Sequence, residues 1–161
     1  MIRGLLLTTV AAVSFGQQSQ EAEIDIYSTA LIEATNKMEQ EWGSGNVPVS
    51  RGGSNYEHIV IDKDRSVKRD YAAFAGPRRF EQLTTRELLQ RRKRLGKDFW
   101  VIQVTPATVD GSRVKVFISR DQVTIVRGRL MFGFSDWAIV YFRVDPSSGK
   151  FRLDEVELGG I

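Results

Sequence analysis

The chain has 161 residues, 42% of them apolar and 27% charged, with no cysteine and one histidine, His58. This is enough for one domain with a real core and close to the globular average, which excludes collagen-like, disordered and multi-span membrane classes. The missing cysteines exclude disulfide scaffolds, Cys-based zinc or iron–sulfur sites and a thiol nucleophile, and a lone histidine excludes a His-rich metal cage.

The formal charge of +3 hides a split along the chain. Residues 17–62 hold 2 basic and 8 acidic groups, residues 63–97 hold 12 and 4, and residues 98–161 hold 8 of each. The basic middle is either a surface for an anionic partner or is neutralised by the acidic first third.

Residues 1–16, MIRGLLLTTVAAVSFG, combine Arg3 with an apolar run and with small residues, Ser14 and Gly16, three and one places before a cut preceding Gln17. This is the signal-peptide pattern, and the run falls short of the ~20 residues that span a bilayer. The expectation is an exported protein, periplasmic or secreted and bacterial, with residues 17–161 forming one domain. No later stretch of the mature chain is long and apolar enough to span.

Residues 22–42 place Ile24, Tyr27, Leu31, Ala34, Met38 and Trp42 at spacings of three and four, which predicts an amphipathic helix. Glu23 and Asp25 are expected in its first turn, and Gly43 ends it. Residues 43–55, rich in glycine and serine, read as a flexible loop, either a lid or a tolerated insertion. Tyr56 to Asp62 reads as a short strand with Tyr56, His58, Val60 and Asp62 on one face. Residues 66–83 carry no clear period, although Asp70 to Ala75 suits a helical turn. Thr84 and Glu87 stand at capping-box spacing, so a second helix begins there, buries Leu88, Leu89 and Leu95, and stops at Gly96.

From Phe99 onward the chain reads as strands and turns: Phe99 to Thr105, Arg113 to Ser119, Gln122 to Arg127, Leu130 to Phe134, Trp137 to Val144, and Phe151 to Leu158. Gly133 suggests a bulge or bend. The apolar phase shifts between Leu153 and Val156, which predicts a bulge. The result is α+β: an N-terminal amphipathic helix and a second helix packed on one face of a curved antiparallel sheet. Trp137 to Val144 is apolar on both faces, so the face without helices needs a cover. A second copy is the simplest, giving a homodimer through the outer sheet face.

This order of elements resembles the NTF2-like superfamily, the cone-shaped fold of nuclear transport factor 2, ketosteroid isomerase and the SnoaL-like proteins. The resemblance rests on the helix Ile24 to Trp42, on YEHIVIDKDRSV followed by TTRELLQRRKRLG, and on the ending WAIVYFRVDPSSGKFRLDEVEL. The loop at 43–55 and the segment 64–83 depart from it, and a cystatin-like fold is the nearest competitor. The family includes isomerases, dehydratases and epoxide hydrolases as well as proteins that only bind ligands or other proteins, and fold does not choose among these.

By that resemblance a catalytic member places a carboxylate or histidine base inside an apolar cone. His58 and Asp62 share a strand face but stand about 13 Å apart along it, so they do not pair directly. Asp121, Asp136 and Tyr141 are further candidates from the later strands. Tyr56, Trp100, Trp137 and Tyr141 are candidate ligand-lining aromatics, with ordinary core packing as the alternative. Arg78, Arg79, Arg91, Arg92, Lys93 and Arg94 are candidates for an anion site, with a solvated helix face as the alternative. Aromatics are sparse in the basic segment, which together with export argues against nucleic acid. No nucleophile elbow, phosphate loop or metal motif is present, so no cofactor and no metal are expected. The sequence reads as an exported non-enzymatic domain that binds a small apolar ligand or a protein partner. A small isomerase or dehydratase with a His or Asp base and an anion-binding envelope protein are the alternatives.

Overall fold

A computed structural model describes residues 15–42, 58–71 and 79–160, with side chains described from residue 26 onward except at 134 and 135. The expectations for the signal segment up to residue 14, the loop at 43–55, Tyr56, Arg78 and most of the turn at 70–75 lie outside these residues. The elements are α1 (Phe15–Trp42), β1 (His58–Asp62), β2 (Arg79–Leu83), α2 (Thr85–Leu95), β3 (Phe99–Val104), β4 (Thr108–Asp110), β5 (Arg113–Val126), β6 (Arg129–Val144) and β7 (Phe151–Gly160).

Helix α1 ends at Trp42 as expected but starts at Phe15, so Glu23 and Asp25 lie a full two turns inside it rather than in its first turn. Its stripe is the expected one: Tyr27, Leu31, Ala34 and Met38 are buried, joined by Ile26 and Ala30. Thr35 is also fully buried, and its hydroxyl donates back to the Leu31 and Ile32 carbonyls, so the helix carries it without an orphaned polar group. The Tyr27 hydroxyl accepts from the Ala107 N–H at 2.8 Å, tying the helix to the strands beneath.

Helix α2 is built as its sequence dictates. Thr84 and Glu87 form the reciprocal capping box, and Gly96 closes the helix in the left-handed region with φ 68°. Leu88 is buried and Leu89 half-buried, but Leu95 is 42% exposed. Leu95 lies about 10 Å farther along the axis than Leu88, at the helix's open end.

The sheet runs β2-β1-β3-β5-β6-β7, with β4 on β5. It is mixed rather than wholly antiparallel: β1 is parallel to both β2 and β3, and the five strands from Phe99 onward form the expected antiparallel part. Strand β2 lies inside the segment that showed no clear period. Two further runs merge: β5 is one 14-residue strand and β6 one 16-residue strand. They meet in a two-residue hairpin at Arg127 and Gly128, both with positive φ.

Side-chain parity divides the core in two. Ile59, Ile61, Ile102, Val104, Val116, Ile118, Ala138, Val140 and Phe142 pack under α1. Val60, Val101 and Val123 point the other way and pack with Leu88 of α2. The helices therefore cover opposite faces, where one face was expected. A register shift on β6 between the partners of Arg120 and Asp121 leaves Ser135 unpaired. That bulge, two residues after Gly133, reverses the parity of β6, so Phe132 faces α2 while Asp136, Ala138 and Val140 face α1. The predicted bulge in the last strand is present: Tyr141 pairs with Glu155 and Phe142 with Leu153, leaving Asp154 over. Two helices on a curved mixed sheet give an α+β fold.

Candidate functional site

One row of the sheet carries a buried charge pair. Ile61, Ile102, Arg120, Asp136 and Gly160 are successive partners across β1, β3, β5, β6 and β7. All four side chains of that row turn toward α1. Arg120 and Asp136 are directly opposite each other, at 4% and 1% exposure. The Arg120 Nε donates to Asp136 Oδ2 at 2.9 Å, and its second nitrogen reaches the same oxygen. Two indoles flank the guanidinium, Trp100 at 4.7 Å from β3 and Trp42 at 5.8 Å from the last turn of α1. A guanidinium between aromatic faces is weakly hydrated and held by the ring quadrupoles, which eases its burial.

Above Asp136 lies an open cleft of about 510 Å³, lined by Lys37, Glu41 and Trp42 of α1 and by Asp136, Leu158, Gly159 and Gly160. Gly159 is required where it stands. A Cβ there would come within 2.1 Å of the Trp137 ring, which lies across it from the neighbouring strand. The cleft thus has a polar floor, an indole wall, an aliphatic wall and a lip of two opposite charges.

The other face holds a second buried set. Asp62 is fully buried at the end of β1, and its Oδ1 accepts the N–H groups of Asp64 at 3.1 Å and Arg65 at 3.2 Å. Arg65 donates to Asp121 Oδ2 at 2.6 Å, bonds the Gln103 side-chain oxygen, and stacks over Phe132 at 4.1 Å. Asp62 Oδ2 and Asp121 Oδ1 have no hydrogen-bond partner among the described residues, and the nearest Arg65 guanidinium nitrogen is 3.6 Å from Asp62 Oδ2. Burial pushes the Asp62 carboxyl above its ordinary value, against the lowering effect of the Arg65 and Asp64 N–H bonds and the Arg65 charge.

His58 and Asp62 therefore stand at opposite ends of β1, and neither reaches the cleft. His58 is exposed, with Nε2 2.9 Å from Glu81, and Asp62 is occupied in fixing the turn that follows β1. The aromatic candidates do not line a common space. Trp100 is on the α1 face. Trp137 and Tyr141 are on the opposite face, where Trp137 stacks on Phe117 at 6.0 Å and Tyr141 lies under Arg113 and donates to Glu157. The basic candidates also divide. Arg91 pairs with Glu81 and Arg92 with Asp98 at 2.7 Å, whereas Arg79, Lys93 and Arg94 are exposed. Among the described residues no cluster of acidic or histidine side chains suits a metal ion.

Sequence reasoning singled out Asp136 as a late-strand candidate and placed Trp42 in the core stripe. It missed Arg120 and the cleft-lining Lys37, Glu41 and Leu158. The available signal was Arg120–Asp121, two charges in the middle of an apolar run. They read as a break between strands, but the run continues through them.

No family model matches the chain, and no curated protein matches it. Among solved structures, a protein from Shewanella frigidimarina NCIMB 400, provisionally assigned as a ketosteroid isomerase, aligns over 84% of this chain and 97% of its own, at 9% identity and a TM-score of 0.28.

Proposed function

We propose that this protein is a non-enzymatic binding domain whose cleft, between the C-terminal turn of α1 and the β6–β7 edge, takes a small and largely apolar ligand. The observation that carries this reading is the buried Arg120–Asp136 pair beneath an open cleft walled by Trp42 and Leu158. The indole and the aliphatic wall supply apolar contact, and the polar floor fixes orientation, the usual division of labour in a small-molecule site. Asp136 is already bonded by a guanidinium, so taking a proton from a ligand would mean breaking a buried ion pair. This favours binding over the isomerase or dehydratase alternative, as does the absence of His58 and Asp62 from the cleft. The anion-binding alternative through Arg91 and Arg92 is weakened by their engagement with Glu81 and Asp98.

The reading includes export after cleavage before Gln17 and a homodimer through the outer sheet face, where Phe117, Trp137 and Ile139 lie away from both helices. Mapping an apolar fragment library onto the chain by NMR tests the cleft. A Trp42→Ala chain is expected to lose at least about tenfold in affinity, since a buried aromatic contact is worth more than 1.4 kcal/mol.

A further inference from the structure

The strand directions gather a second set of side chains at one end of the molecule. Strands β1 and β2 are parallel to β3, so α2, which connects β2 to β3, returns to the end where β3 begins. Strand β5 is antiparallel to β3, with Val123 opposite Phe99, so β5 finishes at this same end. Its last three residues run about 10 Å beyond β3 before the hairpin at Arg127–Gly128. The end of α2 and the hairpin tip thus lie at one pole of the sheet. Between them they present Lys93, Arg94, Lys97, Arg127 and Arg129, all exposed and none with an ion-pair partner among the described residues. Three apolar side chains stand among these cations and are just as open: Leu95 at 42%, Val126 at 50% and Met131 at 49% exposure.

The opposite pole differs in its charge balance. Val109, Val144 and Leu153 are exposed there too. Three of its cations are matched, Arg143 to Asp154, Arg152 to Asp145 and Lys115 to Asp110, while Lys150 in the β6–β7 turn is exposed with no ion-pair partner among the described residues. At the first pole none of the five exposed cations has an ion-pair partner among the described residues.

We propose that this pole docks the protein on the surface of an anionic lipid bilayer. Charge alone would suit any polyanion. The apolar side chains decide the partner, because a bilayer interface takes cations at its headgroups and aliphatic groups just below them, whereas a dissolved polyanion leaves the aliphatic groups in water. Neither Arg91 nor Arg92 takes part, and the surface is separate from the cleft.

Flotation of the full chain with phosphatidylcholine vesicles, with and without about one third phosphatidylglycerol, is the test. The chain is expected to float with the anionic vesicles and not with the neutral ones, and a Lys93→Glu, Lys97→Glu chain to bind at least about tenfold more weakly. The far-UV circular dichroism of that chain checks that it is folded. In a Met131→Trp chain, brominated lipid is expected to quench the new indole. Equal binding to neutral vesicles, or no binding, overturns the proposal. So does an unquenched indole at 131 with heparin competing the chain off the vesicles, which would make the partner a soluble polyanion.

Discussion

At the scale of residues, β5 carries opposite charges to opposite faces. Arg120 turns toward α1 and meets Asp136, and Asp121 turns toward α2 and meets Arg65. The first pair is buried, and removing one partner of such a pair typically costs about 3–5 kcal/mol. An Asp136 variant would therefore confound folding with binding, which is why Trp42 is the better probe of the cleft. The second set is not balanced: two buried carboxylates share one guanidinium, and one oxygen of each is unbonded. Below the ordinary carboxylate value of 3.8 both the folded and unfolded chains hold the Asp62 proton, and the site costs nothing. As pH rises through the raised value in the folded state, the native protein must bury an ionised Asp62, and stability is lost. Asp62→Asn keeps the Oδ1 acceptor for Asp64 and Arg65 and removes the charge. Its stability in urea unfolding should match the parent's in acid and exceed it increasingly toward neutral pH. A variant less stable than the parent at neutral pH would contradict this account.

At the scale of elements, the hairpin between β5 and β6 holds Arg127 at φ 50°, where a branched or long side chain gains nothing and Asn or Gly is favoured. Arg127→Asn is expected to stabilise the protein by about 0.5–1 kcal/mol by chemical denaturation, and an equal loss would show that the Arg127 side chain supports the turn. Elements whose signal is local were legible in the sequence. The end of α1, the capping box and glycine stop of α2, and the Asp154 bulge each follow from a few neighbouring residues. Elements whose signal is non-local were not. Strand β2 has one buried side chain, Phe80, and is recognisable only by its parallel pairing to β1. The charges Arg120 and Asp121 divided β5 on paper because their partners, Asp136 and Arg65, lie 16 and 56 residues away. The Ser135 bulge was placed at Gly133 because a glycine is visible in a sequence and a parity reversal is not.

At the scale of the whole molecule, the sheet separates two environments. The α1 face encloses the larger core and opens at the cleft, and α2 covers β1, β3 and the end of β5, so that among the described residues no helix covers the middle of β5 and β6 on that face. Among the described residues no helix is long and apolar enough to cross a membrane. Native mass spectrometry of the protein recovered from its own cells reads two whole-molecule expectations together, a mass equal to two chains each beginning at Gln17. A single chain would leave the outer face open to a different partner, and a retained Met1 would remove the export reading.

The measurement that tests the central claim most directly is the NMR map of an apolar fragment library. The account predicts that binding fragments shift the signals of Lys37, Glu41, the Trp42 indole, Asp136 and 158–160, and that Trp42→Ala abolishes those shifts while leaving the rest of the spectrum in place. Fragments that leave these signals unmoved, or that bind only at the outer sheet face around Phe117 and Trp137, would contradict it.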